Sequence, residues 1–141
     1  FTTKIGRDDI ERLDEEALSG PPTIYQEYID KRFEYRVMMF DGAYVAYRID
    51  SQSTLSGKID WRLGDEEAEV ERTELPQDLA EKLDRYLRRA GLNHGAFDLC
   101  ETPKGDWVFL ECNSEGQWAW LESEEMEVSN LYARQFQAAL A

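Results

Sequence analysis

The sequence predicts an α+β domain with a mainly antiparallel sheet and flanking helices. Two hairpin patterns predict the sheet, because each joins two apolar, β-branched or aromatic runs through a short turn. One helix pattern lies between the hairpins and another ends the chain, without the strand–helix–strand alternation of a parallel sheet. The chain has 141 residues, 42% of them hydrophobic and 12% aromatic, which suffices for one such domain with a buried core.

The first hairpin carries the strongest local signal. Its strands are predicted over residues 35–40 and 43–49, and Asp41-Gly42 between them favours a type I′ turn, which needs positive φ at both positions. Before it, residues 8–18 carry a weak amphipathic helix pattern, and residues 23–29 are β-branched and aromatic, which predicts a strand. After it, the very acidic residues 65–71 predict a solvated loop or an edge.

The second half predicts a helix, a hairpin and a final helix. Pro76 begins the first of these helices, and Gly91 supplies a left-handed cap at its end. The hairpin joins residues 96–100 to residues 107–112. Apolar residues recur at helical spacing in both helices: Leu79, Leu83, Tyr86, Leu87 and Ala90 in the first, and Val128, Leu131, Tyr132, Phe136 and Leu140 in the last.

Composition narrows the functional classes. The chain has 16 Lys and Arg against 30 Asp and Glu, a net charge of −14, which disfavours a phosphate-backbone or anionic-membrane binder. No apolar run reaches the roughly 20 residues of a membrane span. Cys100 and Cys112 are the two cysteines, so the chain is not a disulfide scaffold, and a reducing cytoplasm is the expected compartment. We therefore expect neither a nucleic acid nor a membrane as partner.

The second hairpin brings oxygen ligands together. If Lys104-Gly105 forms a two-residue loop, Asp98 lies directly opposite Glu111, and Asn113 shares their face of the sheet. Two carboxylates and an amide oxygen on rigid strands suit a hard cation, above all Mg²⁺. The alternative is that the two carboxylates are separately solvated at a sheet edge or paired with arginine. A one-residue slip in register would remove the site.

Five motifs in order carry a family resemblance. They are Gln26-Glu27-Tyr28-Ile29, Glu34-Tyr35-Arg36-Val37, Asp60-Trp61-Arg62, Gly95-Ala96-Phe97-Asp98-Leu99 and Glu111-Cys112-Asn113-Ser114-Glu115-Gly116-Gln117-Trp118. Together they resemble the ATP-grasp ligases, and among these the maturases of microviridin-type peptides, also called graspetide ligases. The resemblance covers residues 1–122 and implies that residues 1–141 form the C-terminal portion of an ATP-grasp fold.

The resemblance implies a carboxylate-activating ligase that uses ATP and Mg²⁺. Such an enzyme converts a side-chain carboxylate into an acyl phosphate, which a hydroxyl or amine then attacks. In these maturases the products are ω-ester or ω-amide bonds in a ribosomal precursor peptide, and that peptide, or another carboxylate-bearing substrate, is the implied partner. The full-length protein is expected to be a homo-oligomer.

The same resemblance assigns roles to individual residues. Asp98, Glu111 and Asn113 would hold Mg²⁺, and Glu34 would bind the ribose. Arg36 and Arg62 would clamp phosphates or the acyl phosphate, a task that suits the bidentate guanidinium fork. The adenine would lie against the hinge segment, formed by Gln26, Glu27, Tyr28 and Ile29.

The sequence also departs from the family pattern. Cys112 stands where the family usually has an apolar residue, and Ser114 stands where it usually has proline. The chain opens like the end of a strand, and the phosphate-gripping lysines of the family would precede the hinge. The chain is therefore expected to be a fragment that is inactive alone.

Two other functions stay open at this point. One is a different ATP-grasp ligase, such as an enzyme that adds glutamate to a protein tail, although Asp60-Trp61-Arg62 and Gln117-Trp118 favour the peptide maturase. The other is a non-catalytic domain that binds a nucleotide, a metal or a protein.

Overall fold

The computed structural model describes residues 3–14, 20, 23–53, 68–122, 124 and 127–140. Within these residues one antiparallel sheet has the strand order β3-β2-β1-β4-β5. Its strands are β1 (Phe33–Phe40), β2 (Ala43–Ile49), β3 (Val70–Thr73), β4 (His94–Glu101) and β5 (Trp107–Asn113). The predicted α+β class with an antiparallel sheet is confirmed.

The helices flank this sheet. They are α1 (Arg7–Glu11), α2 (Gln77–Ala90) and α3 (Glu127–Ala139), with short 3-10 turns at Ser51–Ser53 and Ala119–Leu121. Helix α2 follows Pro76 and ends at Gly91 in the left-handed conformation, as predicted. The predicted helix over residues 8–18 is confirmed only as far as Glu11, where α1 ends. Residues 12–14 are not helical, and residues 15–18 lie outside the described part. No helix among the described residues is long and apolar enough to cross a bilayer.

The first hairpin forms with the predicted turn. Phe40 pairs with Ala43, and the two residues between them both have positive φ, 46° at Asp41 and 79° at Gly42. This is the type I′ geometry, whose twist matches that of the flanking strands. On its other edge β2 pairs with β3, so the end of the acidic stretch is an edge strand, while residues 65–67 lie outside the described part.

The loop of the second hairpin is longer than predicted. The Thr102 amide donates to the Asp106 carbonyl at 2.9 Å, and Glu101 pairs with Trp107. Pro103 therefore belongs to the loop together with Lys104-Gly105, and the prediction of a two-residue loop is wrong. By itself, this extra loop residue would shift the strand register by one.

A β-bulge in β5 restores the predicted register. Leu99 pairs with Phe109, whereas the neighbouring Asp98 pairs with Glu111, so Leu110 is an extra residue in β5. The predicted pairing of Asp98 with Glu111 is therefore confirmed, although for a different reason from the one expected.

The predicted strand over residues 23–29 is wrong. This segment has no regular secondary structure, and its large side chains, including Ile24, Tyr25 and Tyr28, are exposed. β-branched and aromatic residues favour a strand only where another strand supplies a ladder, and the five described strands pair with one another instead. The Lys4 ammonium lies 3.6 Å from the ring centre of Tyr28.

Two apolar clusters cover the two faces of the sheet. Helix α2 packs on one face, where the buried residues are Tyr35, Val37, Met39, Ala46, Leu75, Leu83, Leu87, Phe97 and Leu99. Helix α3 packs on the other face, where they are Met38, Val45, Tyr47, Ala96, Leu121, Val128 and Leu131. The second cluster covers only part of its face, and polar residues occupy the same face beyond it.

Candidate functional site

A row of polar residues crosses the sheet on the α3 side. Tyr47 of β2, Arg36 of β1, Asp98 of β4 and Glu111 of β5 lie opposite one another on successive strands. Opposite residues on neighbouring antiparallel strands have Cβ atoms about 4.5–5.5 Å apart. The sheet therefore brings a guanidinium group and two carboxylates onto one rigid surface.

Arg36 and Asp98 form a buried ion pair in this row. Arg36 Nη1 donates to Asp98 Oδ1 at 2.7 Å, and the two residues are only 6% and 7% exposed. Arg36 Nη2 donates to the main-chain carbonyl of Gln117 at 2.9 Å. The Arg36 Nε is buried without a hydrogen-bond partner among the described residues. The alternative interpretation had both carboxylates either separately solvated at a sheet edge or paired with arginine, and the structure shows the pairing with arginine for Asp98.

The other two candidate metal ligands lie on β5, which forms an edge of the described sheet. Glu111 is exposed, and Asn113, opposite Ala96, ends the strand. The Asn113 Oδ1 accepts a hydrogen bond from the Glu115 amide at 2.8 Å, which shapes the turn after β5. All three predicted metal ligands line one groove of about 510 Å³, together with Arg36, Glu115, Gln117 and Trp120.

The loop after β5 lies directly on the sheet at this groove. A Cβ atom added to Gly116 would stand 2.4 Å from the Ala96 Cβ and 2.7 Å from Arg36 Nη2. Both distances are far below van der Waals contact, so any larger residue would displace the loop or the guanidinium group. Glycine at this position therefore permits the loop to approach Arg36.

The donor set fits a magnesium site that a phosphate completes. In the part of the chain that the structure describes, no group of three or more His, Cys, Asp or Glu residues could hold a metal. Asp98, Glu111 and the amide oxygen of Asn113 instead offer the oxygen ligands that Mg²⁺ prefers. Mg²⁺ usually takes only one or two carboxylates and completes its shell with water and substrate phosphates.

Glu34 lies on the same face, two residues before Arg36 on β1. Its carboxylate is buried, and Oε1 accepts a hydrogen bond from Lys31 Nζ at 2.5 Å. The second oxygen, Oε2, is buried without a hydrogen-bond partner in the described structure. Sequence reasoning missed Lys31, and only its spacing of three residues from Glu34 would have pointed to this contact.

The remaining predicted residues lie elsewhere. Gln26, Glu27 and Tyr28 are exposed and Ile29 is half-buried, and none of the four lines the groove. Arg62, with the rest of the Asp60-Trp61-Arg62 motif, lies outside the described residues. The structure therefore brings together the predicted metal ligands and Arg36, but not the predicted adenine contacts.

The neighbouring aromatic residues and the thiol have packing roles. Trp118 stacks on Tyr132, and His94 meets Tyr132 and Phe40 edge to face. Burial raises the pKa of the Cys112 thiol, which keeps it protonated and unreactive at neutral pH. Cys112 therefore acts as a small apolar residue between Glu111 and Asn113.

Comparisons with known proteins identify structural relatives of this fold. Neither a protein-family profile nor a curated protein matches the chain. Among solved structures, a RiPP-associated ATP-grasp ligase from Chryseobacterium gregarium, in complex with ADP and a leader and core peptide, is 31% identical with a TM-score of 0.66. That match covers 72% of this chain and 32% of the ligase.

Two macrocyclases from Microcystis aeruginosa MRC are similar to a comparable degree. MdnB is 30% identical with a TM-score of 0.61, over 77% of this chain and 38% of MdnB. MdnC, solved with the precursor peptide MdnA, is 31% identical with a TM-score of 0.55, over 67% of this chain and 29% of MdnC. This chain thus spans about a third of the length of the solved structures that it matches.

Proposed function

We propose that this chain, which has the fold of part of the RiPP-associated ATP-grasp ligases, forms the metal- and phosphate-binding part of an ATP-dependent peptide ligase. The enzyme would activate a side-chain carboxylate of a ribosomal precursor peptide as an acyl phosphate. A hydroxyl or amine of the peptide would then displace phosphate and form an ω-ester or ω-amide bond. The single observation that carries the proposal is the pairing of Asp98 with Glu111 across the sheet, with Asn113 in the same groove.

The groove supplies oxygen ligands where the phosphates of ATP would need a cation. Asp98, Glu111 and Asn113 would hold Mg²⁺, which when bound would offset the charge that develops on the phosphates during phosphoryl transfer. Because the three ligands come from paired strands rather than from mobile loops, their spacing is set before ATP binds. Such preorganisation lowers the cost of positioning the reacting groups.

The nucleotide itself would be bound by residues on and before β1. Glu34 would accept a hydrogen bond from the ribose, and its buried Oε2, which has no hydrogen-bond partner among the described residues, supports this role. Gln26, Glu27, Tyr28 and Ile29 would contact the adenine. Arg62 would contact the phosphates or the acyl phosphate.

Peptide modification by the intact protein tests this proposal. The protein would be incubated with ATP, Mg²⁺ and the candidate precursor peptide encoded beside its gene, and the peptide would be weighed by mass spectrometry. We expect loss of one water mass for each bond formed, with one ADP produced per bond, and no such change with Glu111→Gln. A Glu111→Gln protein that forms the bonds normally would refute the role of this site.

The same experiment separates the rival functions. A ligase that adds glutamate to a protein tail would increase the mass of its substrate by glutamate residues instead of removing water. A non-catalytic binding domain would form no ADP with any substrate. Hydroxylamine, which traps acyl phosphates as hydroxamates, would show whether a carboxylate is activated before the bond forms.

A further inference from the structure

A second pocket, which we call the aromatic pocket, lies beside the groove of the predicted metal ligands. It has a volume of about 380 Å³, and its walls come from the start of β4, the loop after β5 and helix α3. The lining residues are His94, Ser114, Glu115, Gly116, Trp118 and Tyr132. Because Glu115 lines both cavities, the pocket and the groove are neighbours on either side of one loop. The proposed chemistry at the groove does not use this pocket.

Aromatic rings form much of the wall of the aromatic pocket. Trp118 and Tyr132 are stacked with their ring centres 5.8 Å apart, and His94 meets Tyr132 edge to face, also at 5.8 Å. Trp118 and Tyr132 pack against the apolar cluster under α3, which holds them in place. The face of an aromatic ring carries partial negative charge and attracts a cation within about 6 Å of the ring centre. These walls therefore favour a positively charged ligand.

Glu115 adds a full negative charge to this wall. Its main-chain amide donates to Asn113 Oδ1 at 2.8 Å, whereas its carboxylate has no hydrogen bond or ion pair among the residues that the structure describes. The next residue, Gly116, lies so close to the sheet that an added Cβ would stand 2.4 Å from the Ala96 Cβ. The main chain that carries the carboxylate is thus fixed, while the carboxylate itself is available to a ligand.

The nearby guanidinium group does not reverse this preference. Arg36 approaches the same loop, since a Cβ added to Gly116 would stand 2.7 Å from Nη2, but its charge is paired with Asp98 at 2.7 Å. In addition, His94 Nδ1 is buried without a hydrogen-bond partner among the described residues. A ligand with N–H donors would satisfy this nitrogen in the tautomer that carries the proton on Nε2.

We infer that the aromatic pocket binds a positively charged side chain, lysine or arginine, of the peptide substrate. Aromatic faces combined with a carboxylate are a common means of recognising ammonium and guanidinium groups. This inference rests on the proposed function, because the precursor peptide supplies the cation. Binding in the pocket holds the peptide beside the groove in which Mg²⁺ and the phosphates would lie, so one loop separates peptide recognition from carboxylate activation.

Titration of the intact protein with small probes tests the chemistry of the pocket without ATP, Mg²⁺ or peptide. The charged probes are N-acetyl-lysine N-methylamide and N-acetyl-arginine N-methylamide, and the uncharged reference is N-acetyl-norleucine N-methylamide. Binding is measured by NMR from the main-chain amide signals of Glu115 and Gly116. We expect a saturable shift of these signals with at least one charged probe and none with the norleucine compound.

Glu115→Gln and Trp118→Leu remove the carboxylate and one aromatic wall separately. Each should weaken the binding of the charged probe about tenfold, because each removes an interaction of roughly that strength. Trp118→Phe keeps an aromatic face and should retain most of the affinity. Because Glu115 is exposed, its variant tests the inference even if Trp118→Leu does not fold.

Asp106→Asn is the matched control for Glu115→Gln. It removes the same charge from the β4–β5 loop, at the opposite end of the hairpin from the aromatic pocket. This variant should bind the charged probe as the unmodified protein does, because only a charge in the wall of the pocket contacts the ligand.

Competition in the peptide-modification assay then tests the identity of the occupant. A charged probe that binds in the pocket should raise the KM of the precursor peptide and leave kcat unchanged. The norleucine compound should change neither constant.

Other results would overturn the inference. Failure of both charged probes to bind, equal binding of the norleucine compound, or full affinity in both Glu115→Gln and Trp118→Leu would show that the pocket does not select a cation. A charged probe that binds without raising the KM of the peptide would show that the peptide does not occupy the pocket. In each of these cases the proposed function would stand. If the intact protein modified no peptide and formed no ADP, the proposed function would fail, and the peptide as occupant with it, whatever the titration showed.

Discussion

The two faces of the sheet are built from the same strands but differ in chemistry. On the α2 face the central residues of β1 and β4, such as Val37 and Phe97, are apolar and fully buried. On the other face, Met38 of β1 and Ala96 of β4 lie under α3, and the neighbouring pair on that face is Arg36 and Asp98.

This difference teaches that burial alone does not identify the site. Arg36 and Asp98 are almost as buried as the apolar residues beside them, because the loop over residues 114–118 continues the cover that α3 begins. What marks the site is a change from apolar to charged residues along one face of a strand while burial stays constant. Charges are rarely buried unless they are paired or functional.

The largest expected effect on stability comes from breaking the buried ion pair. Asp98→Ala leaves the Arg36 guanidinium buried without its carboxylate, which should lower the free energy of unfolding by about 3–5 kcal/mol. Glu111→Ala, on the exposed strand of the same row, should change it by only about 0.5 kcal/mol. Urea unfolding of the two variants measures both values. Equal, small losses would show that the pair is not formed in solution.

A similar but smaller loss is expected on the α2 face. Leu87→Ala removes a side chain that is 1% exposed and should cost about 2–5 kcal/mol through lost burial and the cavity it leaves. Leu140→Ala, at the exposed end of the chain, is the matched control and should cost less than about 0.5 kcal/mol. If Leu87→Ala were as mild as its control, α2 would not pack on the sheet as described.

The smallest expected effect is a dependence of stability on pH that comes from Tyr47, on the α3 face of the sheet. Burial, with the nearby Glu127 carboxylate, raises the pKa of Tyr47 to about 12. In the unfolded chain tyrosine titrates near pH 10, so the folded state keeps its proton longer. Stability is therefore full below about pH 10 and falls as the pH rises toward 12.

Chemical unfolding between pH 9 and pH 12 checks this sign. Tyr47→Phe removes the group, so the decline in stability with pH should become shallower than in the unmodified protein. Burial and a hydrogen bond to Glu101 also raise the pKa of Tyr35, so Tyr35→Phe should flatten the decline in the same direction. A steeper decline in either variant would contradict the pKa directions.

Local signals predicted much of the fold. Asp41-Gly42 specified its turn, because a type I′ turn needs positive φ at two consecutive positions and few residue pairs adopt it. Pro76 and Gly91 specified the two ends of α2 through their backbone preferences. The strand predicted over residues 23–29 failed because strand propensity says nothing about where a ladder partner lies. A strand depends on contacts that are distant in sequence, whereas a turn or helix end depends on neighbours.

The site was predictable only in part for the same reason. Asp98 and Glu111 lie within one hairpin, so their pairing could be predicted from local sequence. The prediction was correct although the predicted loop was one residue too short, because the extra residue Leu110 in β5 restores the register. The pairing of Arg36 with Asp98 joins residues 62 apart in sequence and requires β1 to lie beside β4. No local sequence pattern shows that β1 lies beside β4, so the ion pair between Arg36 and Asp98 was identified only in the structure.

The central claim is that Asp98, Glu111 and Asn113 form the cation site of a nucleotide-using ligase. The most direct test is thermal unfolding of the intact protein with Mg²⁺ and ADP, with Mg²⁺ and GDP, and with Mg²⁺ alone, for the unmodified protein and Glu111→Gln. A ligand at 100 times its dissociation constant stabilises a protein by about 2.7 kcal/mol, which is readily measured. We predict stabilisation that is specific for ADP with Mg²⁺ and is lost in Glu111→Gln. Equal stabilisation of both proteins, or none with any nucleotide, would contradict the claim.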